Sequence, residues 1–250
     1  MTTPSSPRFS LSQVDAVEWL GSLPSDSVDL VVTDPPYESL EKHRAIGTTT
    51  RLSKSQGSSN EWFDIFPNRR FPELFTELYR VLRKDTHFYL FCDQETMFVA
   101  KPMAEAAGFR FWKPLVWDKQ SIGMGYHYRA RYEFVLFFEK GKRRLSNLGV
   151  ADVIEAQRVF RGYPTEKPPE VARVLIEQSS NPGDLVIDPF CGSSSTGVAA
   201  LDVARNYAGN DSSSEALRLS EARLVAAGGL RVEAEEQCPA PRGEQLALGV

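Results

Sequence analysis

Val28-Asp29-Leu30-Val31-Val32-Thr33-Asp34-Pro35-Pro36-Tyr37 reads as a strand that runs into a stiff loop. The apolar run Val28 to Val32 has the β-branched content of a buried strand. Proline fixes φ and lacks an N–H, so Pro35 and Pro36 make a rigid loop with free carbonyls. Asp34 and Tyr37 put a carboxylate and a flat ring where the strand stops. In open α/β sheets that is where ligands bind. Such a loop can hold a planar group bearing an amine. On these four residues alone, a strand-end turn with a helix-capping Asp is an equal alternative.

A second stretch repeats the arrangement. Leu185 to Ile187 predicts a short strand ending at Asp188-Pro189-Phe190-Cys191-Gly192, and Ser193-Ser194-Ser195-Thr196 leads into a helix from about Gly197 to Val203. Small residues let a ligand approach the backbone, and a helix N-terminus offers unpaired N–H groups. No G-x-G-x-x-G is present and no Lys follows the glycine, which excludes a dinucleotide fingerprint and a P-loop. The acid at Asp188 suits a ligand with a cationic or hydroxyl-bearing part. Asp211 closes the next predicted strand, Tyr207 to Gly209, where α/β folds place an acid on ribose hydroxyls. An ordinary tight turn is the alternative for this segment taken alone.

Between and around these stretches the patterning alternates. Strands are predicted at Phe9 to Leu11, His87 to Cys92, Phe111 to Trp117 and Tyr132 to Phe138. Helices are predicted at Asp15 to Leu20, Phe71 to Leu82, Thr96 to Ala107, Pro168 or Pro169 to Gln178, and Glu215 to Ala227. Alternation of this kind predicts a mostly parallel sheet covered on both faces, in one α/β domain over residues 1–228. Residues 38–70 and 145–165 read as irregular, and 229–250 as a disordered tail.

The 250 residues carry a net charge of −4, yet residues 38–161 hold 21 Lys and Arg against 15 Asp and Glu. A basic middle could face phosphates, and an unevenly charged solvated surface is the plainer reading. The chain has no apolar stretch long enough to span a membrane and no signal-peptide core. Cys92, Cys191 and Cys238 form neither a metal spacing nor a disulfide framework, so a cytoplasmic location is expected. His43, His87 and His127 lack ligand spacing, and no metal is assigned.

Thr33-Asp34-Pro35-Pro36-Tyr37 resembles the catalytic motif of amino-group DNA methyltransferases. Asp188-Pro189-Phe190-Cys191-Gly192-Ser193 resembles that family's S-adenosylmethionine-binding motif. Thr165-Glu166-Lys167-Pro168 is similar to the short motif before its binding helix. Asp15 matches an acid on the cofactor's adenine, with Ala16 beside it. Trp117-Asp118-Lys119 and Tyr132 to Phe138 match two further family strands. The resemblance covers residues 9–225, with the catalytic motif first and the cofactor motif near the C-terminus. This is the circularly permuted, beta-type order. It implies a three-layer, Rossmann-like fold around a mostly parallel seven-stranded sheet.

The resemblance also implies the site. Asp34, Pro35, Pro36 and Tyr37 would be catalytic. Asp15, Ala16, Asp34, Thr165, Lys167, Asp188 to Thr196 and Asp211 would border S-adenosylmethionine. One departure is that Ser194 stands where the family commonly has a second glycine. If its φ must be positive, the cost is on the order of 1 kcal/mol.

The chemistry explains the residue types. An exocyclic amine is a poor nucleophile because its lone pair is delocalised into the ring. Asp34 can accept one N–H and the Pro35 carbonyl another, which favours a pyramidal nitrogen and stabilises its growing positive charge. Tyr37 would stack on a base taken out of the duplex. No cysteine nucleophile is required, and Cys191 reads as a small buried residue. Double-stranded DNA is the expected partner, contacted by segments 38–70 and 119–165. Lys42, Arg44, Arg51 and Lys54 lie in the first segment. Lys140, Lys142, Arg143 and Arg144 lie in the second, as do Tyr126, His127, Tyr128, Arg129 and Arg131, which could equally be core aromatics beside a solvated edge. So small a reader implies a short recognition site or a second subunit, so a homodimer is an expectation, as is a companion restriction endonuclease. The resemblance implies adenine N6 as the target, since family members that act on cytosine N4 more often carry Ser where Asp34 opens the motif. Cytosine N4 is the alternative. An RNA or protein amine, and a catalytically weak nucleic-acid-binding subunit, are weaker ones.

Overall fold

The computed structural model describes residues 6–39, 65–123, 127–159 and 166–237. In chain order the elements are β1 Arg8–Ser12, α1 Ala16–Ser22, β2 Val28–Thr33, α2 Phe71–Val81, β3 Leu82–Cys92 and α3 Gln94–Ala106. Then come β4 Arg110–Asp118, β5 Tyr132–Lys140, β6 Val153–Glu155, α4 Pro169–Ser179, β7 Leu185–Asp188 and α5 Ser195–Asp202. The described chain closes with β8 Asn206–Asn210, α6 Ser214–Ala226, β9 Leu230–Arg231 and a short helix, α7, Ala234–Gln237.

The nine strands make one sheet in the order β6-β4-β5-β3-β2-β7-β8-β1-β9. Every pairing is parallel except those of β5, which runs antiparallel to both β3 and β4. Helices cover both faces, which gives the expected three layers. Two cores follow from the period-2 alternation of the strands. Val31 and Phe88 point to the core shared with Trp19 of α1, the Phe71, Leu74, Phe75 and Leu78 stripe of α2, and Ala100 of α3. Leu30, Val32 and Phe91 point to the core shared with Val171 and Leu175 of α4, Ala199 of α5 and Leu224 of α6. All six residues of β2 are buried.

Local chemistry sets the helix starts. Asp15 caps α1, accepting from Val17 N at 3.0 Å and Glu18 N at 3.3 Å. Asp93 caps α3 through Thr96 N at 2.8 Å. Pro169 opens α4, where its missing N–H costs nothing.

Three expectations are corrected. Among the described residues the sheet has nine strands rather than seven, because two short edge strands extend it. One of them, β6, lies inside the segment 145–165 read as irregular, and it pairs Val116↔Val153 and Trp117↔Ile154 with β4. The other, β9, lies inside the segment 229–250 read as disordered. There Leu230 N donates to Pro7 O and Val232 N to Phe9 O, both at 2.9 Å, followed by α7. Residues 238–250 lie outside the described residues. Among the described residues, no helix is long and apolar enough to cross a membrane.

Candidate functional site

β2 and β7 are parallel neighbours, paired Leu30↔Val186 and Val31↔Ile187. Their C-terminal ends therefore emerge side by side, and these are the ends that carry Asp34 and Asp188. A hydrogen bond ties the two motifs: Thr33 Oγ1 donates to Asp188 Oδ1 at 2.7 Å. Phe190 N donates to the same oxygen at 3.1 Å. Asp188 is 3% exposed. Burial pushes its carboxyl up to about 7, against the pull of the Thr33 and Phe190 donors. Thr196, on the first turn of α5, also favours its ionised form.

The acceptor loop is held from both sides. Pro35 is buried and Pro36 half-buried, and the Pro36 carbonyl accepts from Phe66 N at 2.9 Å. The Phe66 ring then meets Phe190 edge-on at 5.0 Å, so the acceptor and cofactor-type loops also touch through aromatic packing. Asp34 has both oxygens engaged. The Tyr37 hydroxyl donates to Oδ1, and the Lys167 ammonium donates to Oδ2. Burial pushes the Asp34 carboxyl above its ordinary value, opposed by the Lys167 charge. Tyr37 is 7% exposed, with its ring in the core beside α2 rather than open for stacking. Burial and the Asp34 charge raise its hydroxyl pKa well above normal, so it remains a donor.

Lys167, expected at the cofactor, thus lies on the acceptor carboxylate, with its charge also 3.4 Å from Glu133 Oε2. Glu133 Oε1 is held by Lys119 Nζ at 2.6 Å. Glu133 was visible only as part of a strand pattern. Its pairing to Lys167 is non-local, and spacing carries no signal for it.

The turn after β7 is compact. Cys191 N donates to Asn210 O at 2.9 Å, and Ser194 N to Cys191 O at 2.7 Å. Burial raises the Cys191 thiol well above its ordinary value, which makes it unreactive. Pro189 is buried, and the Asn210 amide donates to its carbonyl at 3.2 Å and to Val14 O at 3.0 Å. That bond brings the loop before Asp15 and Ala16 to the same sheet edge. Gly192 N donates to Asp211 Oδ2 at 2.9 Å, and Ser213 N to Asp211 Oδ1 at 2.9 Å. Burial raises the Asp211 carboxyl. Ser195 Oγ is buried and has no hydrogen-bond partner among the described residues.

Two arginines complete the frame. Arg70 makes a bidentate pair with Asp15 at 2.7 and 2.8 Å and holds that carboxyl below its ordinary value. Arg223 donates to Ser193 O at 2.8 Å and Ser193 Oγ at 2.6 Å, and pairs with Glu166 at 2.7 Å. It fixes the Glu166-Lys167 segment against the turn. Neither pairing has a sequence signature, because the partners lie 55 and 30 residues from their arginines.

Gly192 has φ 51° and Ser194 φ 56°, both left-handed. The serine that replaces a glycine therefore does carry the strain expected of it. Ser194→Gly should raise stability by up to about 1 kcal/mol in denaturant titration, whereas Ser194→Ala keeps the strain and should not.

The basic segments divide. At Cys92↔Phe134 the β3–β5 ladder is at the site edge, and it ends at Thr86↔Lys140. Six strand residues carry Lys140 about 20 Å away, to the opposite edge. Lys140 is spent internally there, on Tyr79 O at 2.7 Å and Asp26 at 3.0 Å. The run Lys140 to Arg144 therefore does not approach the site, contrary to expectation. The β4–β5 hairpin does emerge at the site edge, where Arg131 pairs with Asp118 and Tyr128 is exposed. Lys42, Arg44, Arg51, Lys54, Tyr126 and Thr165 lie outside the described residues.

Comparison with known proteins gives the family and the fold. The sequence profile of the N6/N4 DNA methylase family matches residues 28–222. The Escherichia coli (strain K12) protein YubD is 30% identical over 217 residues, covering 86% of this chain and 89% of the relative. The DNA adenine methyltransferase YhdJ of the same strain is 29% identical over 251 residues, covering 84% and 80%. The fold is similar to that of the M1.HpyAVI–SAM complex, with TM-score 0.64, 21% identity, and 86% and 99% of the two chains covered.

Proposed function

The chain belongs to the DNA methylase family, and from that membership we propose that it transfers a methyl group from S-adenosylmethionine to the N6 amine of an adenine drawn out of duplex DNA. The observation that carries this reading is the pair of carboxylates, Asp34 and Asp188, on neighbouring parallel strand ends linked by Thr33. One strand end is built for an amine and the other for a cationic ligand. Adenine, rather than cytosine, is supported by the likeness to YhdJ and by the aspartate that opens the motif.

The residues after β7 fit S-adenosylmethionine by their chemistry. Asp188, Asp211 and Asp15 offer anionic acceptors for amino, hydroxyl and exocyclic amine groups. Gly192, left-handed and without a Cβ, lets a ligand approach the backbone closely. The unpartnered Ser195 hydroxyl at the start of α5 supplies one further polar contact. When bound, the cofactor supplies an electrophilic methyl group on a sulfonium.

The chain's own residues then act on the amine. Asp34 accepts one N–H and the Pro35 carbonyl the other. Together they pull nitrogen toward a pyramidal geometry and stabilise the positive charge that grows on it. The methyl group would come from the cofactor held at the turn after β7, and the proton given up by the methylated amine would pass to the Asp34 carboxylate and on to solvent. Base extrusion is part of the proposal, since an amine inside a stacked duplex cannot reach Asp34.

The test is to incubate the protein with duplex DNA and methyl-labelled cofactor, digest the DNA and identify the labelled nucleoside. Label in N6-methyladenine is the expected result. Label in N4-methylcytosine would overturn the choice of base, and DNA binding without label would overturn the activity.

A further inference from the structure

The acceptor carboxylate is already occupied by an amine of the protein itself. Lys167 Nζ donates to Asp34 Oδ2, one of the two oxygens available to a substrate N–H. A substrate amine has to compete with the ammonium for that oxygen, and it has the carboxylate fully only when the ammonium moves away. A buried ammonium cannot leave without a receiver, because an uncompensated buried charge is costly. Lys167 is only 14% exposed, so water is a poor receiver. Glu133 is placed to be a better one. Its Oε2 is buried, lies 3.4 Å from Lys167 Nζ, and has no hydrogen-bond partner among the described residues. Its other oxygen is anchored by Lys119, whose ammonium sits over the Trp117 ring at 5.3 Å. Trp117 and Glu133 are register partners on β4 and β5. The receiver is therefore fixed to the sheet, not to a loop.

We propose that Lys167 is a stand-in for the substrate amine, and that Glu133 is the positioning residue that takes its charge when the base enters. The shift needed is small, from 3.4 Å to an ordinary charge-assisted bond of about 2.8 Å. The exchange keeps the ammonium paired and the acceptor hydrogen-bonded: Asp34 passes from Lys167 to a neutral N–H of the base, and Lys167 passes to Glu133. An empty acceptor site is never left with two unpaired carboxylates side by side. This inference rests on the amine-acceptor reading of Asp34 and adds a competitor and a receiver to it.

Steady-state kinetics on the full chain test it, with duplex DNA varied, S-adenosylmethionine saturating, and pH above the carboxylate range. Glu133→Gln leaves Lys167 on Asp34, so fewer molecules can accept a base. KM for DNA should rise about tenfold, with kcat changed by less than about threefold. In a Lys167→Met background there is no ammonium to move, and the same substitution should change KM by less than about twofold. Glu133→Asp keeps the charge and should restore part of the loss. If Glu133→Gln melts too low to assay, Lys119→Met loosens the same carboxylate and must show the same dependence on Lys167. Equal KM effects in both backgrounds overturn the proposal while leaving the function standing. A Lys167→Met protein that binds cofactor more weakly also overturns it, by making Lys167 a cofactor residue. Wild-type protein that transfers no methyl group overturns the function and this inference together.

Discussion

Asp34→Ala should bind S-adenosylmethionine as the wild type does and lose methyl transfer by about 10³-fold or more, the scale of removing a preorganised group from a developing charge. The separation of the two effects is the point. Asp34 sits on β2, while the turn assigned to the cofactor follows β7 and is held by Asn210, Asp211 and Arg223. No hydrogen bond of that frame involves the Asp34 carboxylate, whose charge adds only a minor share to the raised Asp188 value. The substitution also leaves no buried cation unpaired, because Lys167 keeps Glu133 at 3.4 Å. A folded protein with normal cofactor affinity is therefore expected. Calorimetric titration with cofactor, alongside transfer of labelled methyl to DNA, checks both halves. Transfer within tenfold of wild type would remove Asp34 from the chemistry.

The second large effect is on pH. Cofactor affinity should fall as pH drops through about 7, by close to tenfold for each unit below it. Asp188 is an acid whose folded-state value is raised above its ordinary 3.8 by burial. Its ionised form is thus disfavoured in the free protein, and a cationic ligand must draw on that form. Affinity is full above about 7 and lost as the carboxylate takes up its proton. The same shift has the opposite sense for the free protein's stability. The penalty is absent below the unfolded value, grows as pH rises, and is complete above about 7. Asp188→Asn should consequently flatten the pH dependence of binding, weaken affinity at high pH, and stabilise the free protein there. Measured affinity that does not change between pH 6 and pH 8 in the wild type (about one unit either side of the shifted value) would take Asp188 out of cofactor binding.

The strand ends were legible because they are local. The strand Val28–Thr33 and the stripe Phe71, Leu74, Phe75, Leu78 and Val81 appear where their periodicity puts them. The motif residues Asp34 and Asp188 read as ligand positions because a β-branched run, a proline and an acid are contiguous. The edge strands were not legible. β6 has three residues and β9 two, too few for a periodic signal, and both exist by pairing with β4 and β1. The pairings that finish the site are long-range for the same reason. Lys167 finds Asp34 across 133 residues, and Arg70 finds Asp15 across 55. A basic run can also mislead: Lys140 reads as a phosphate contact until the antiparallel β5 carries it to the far edge. Charge composition says what a segment could bind, while strand direction decides what it can reach.

Asp34 and Asp188 are interpreted as the acceptor and donor halves of one two-ligand site, and a single-turnover experiment tests that claim most directly. Protein preloaded with methyl-labelled S-adenosylmethionine is mixed with a slight deficit of duplex DNA, quenched over time, and the DNA counted. The account predicts label on DNA within the first turnover for the wild type, and label retained wholly as bound cofactor for Asp34→Ala. Wild-type protein that holds both ligands yet moves no label to DNA would contradict it.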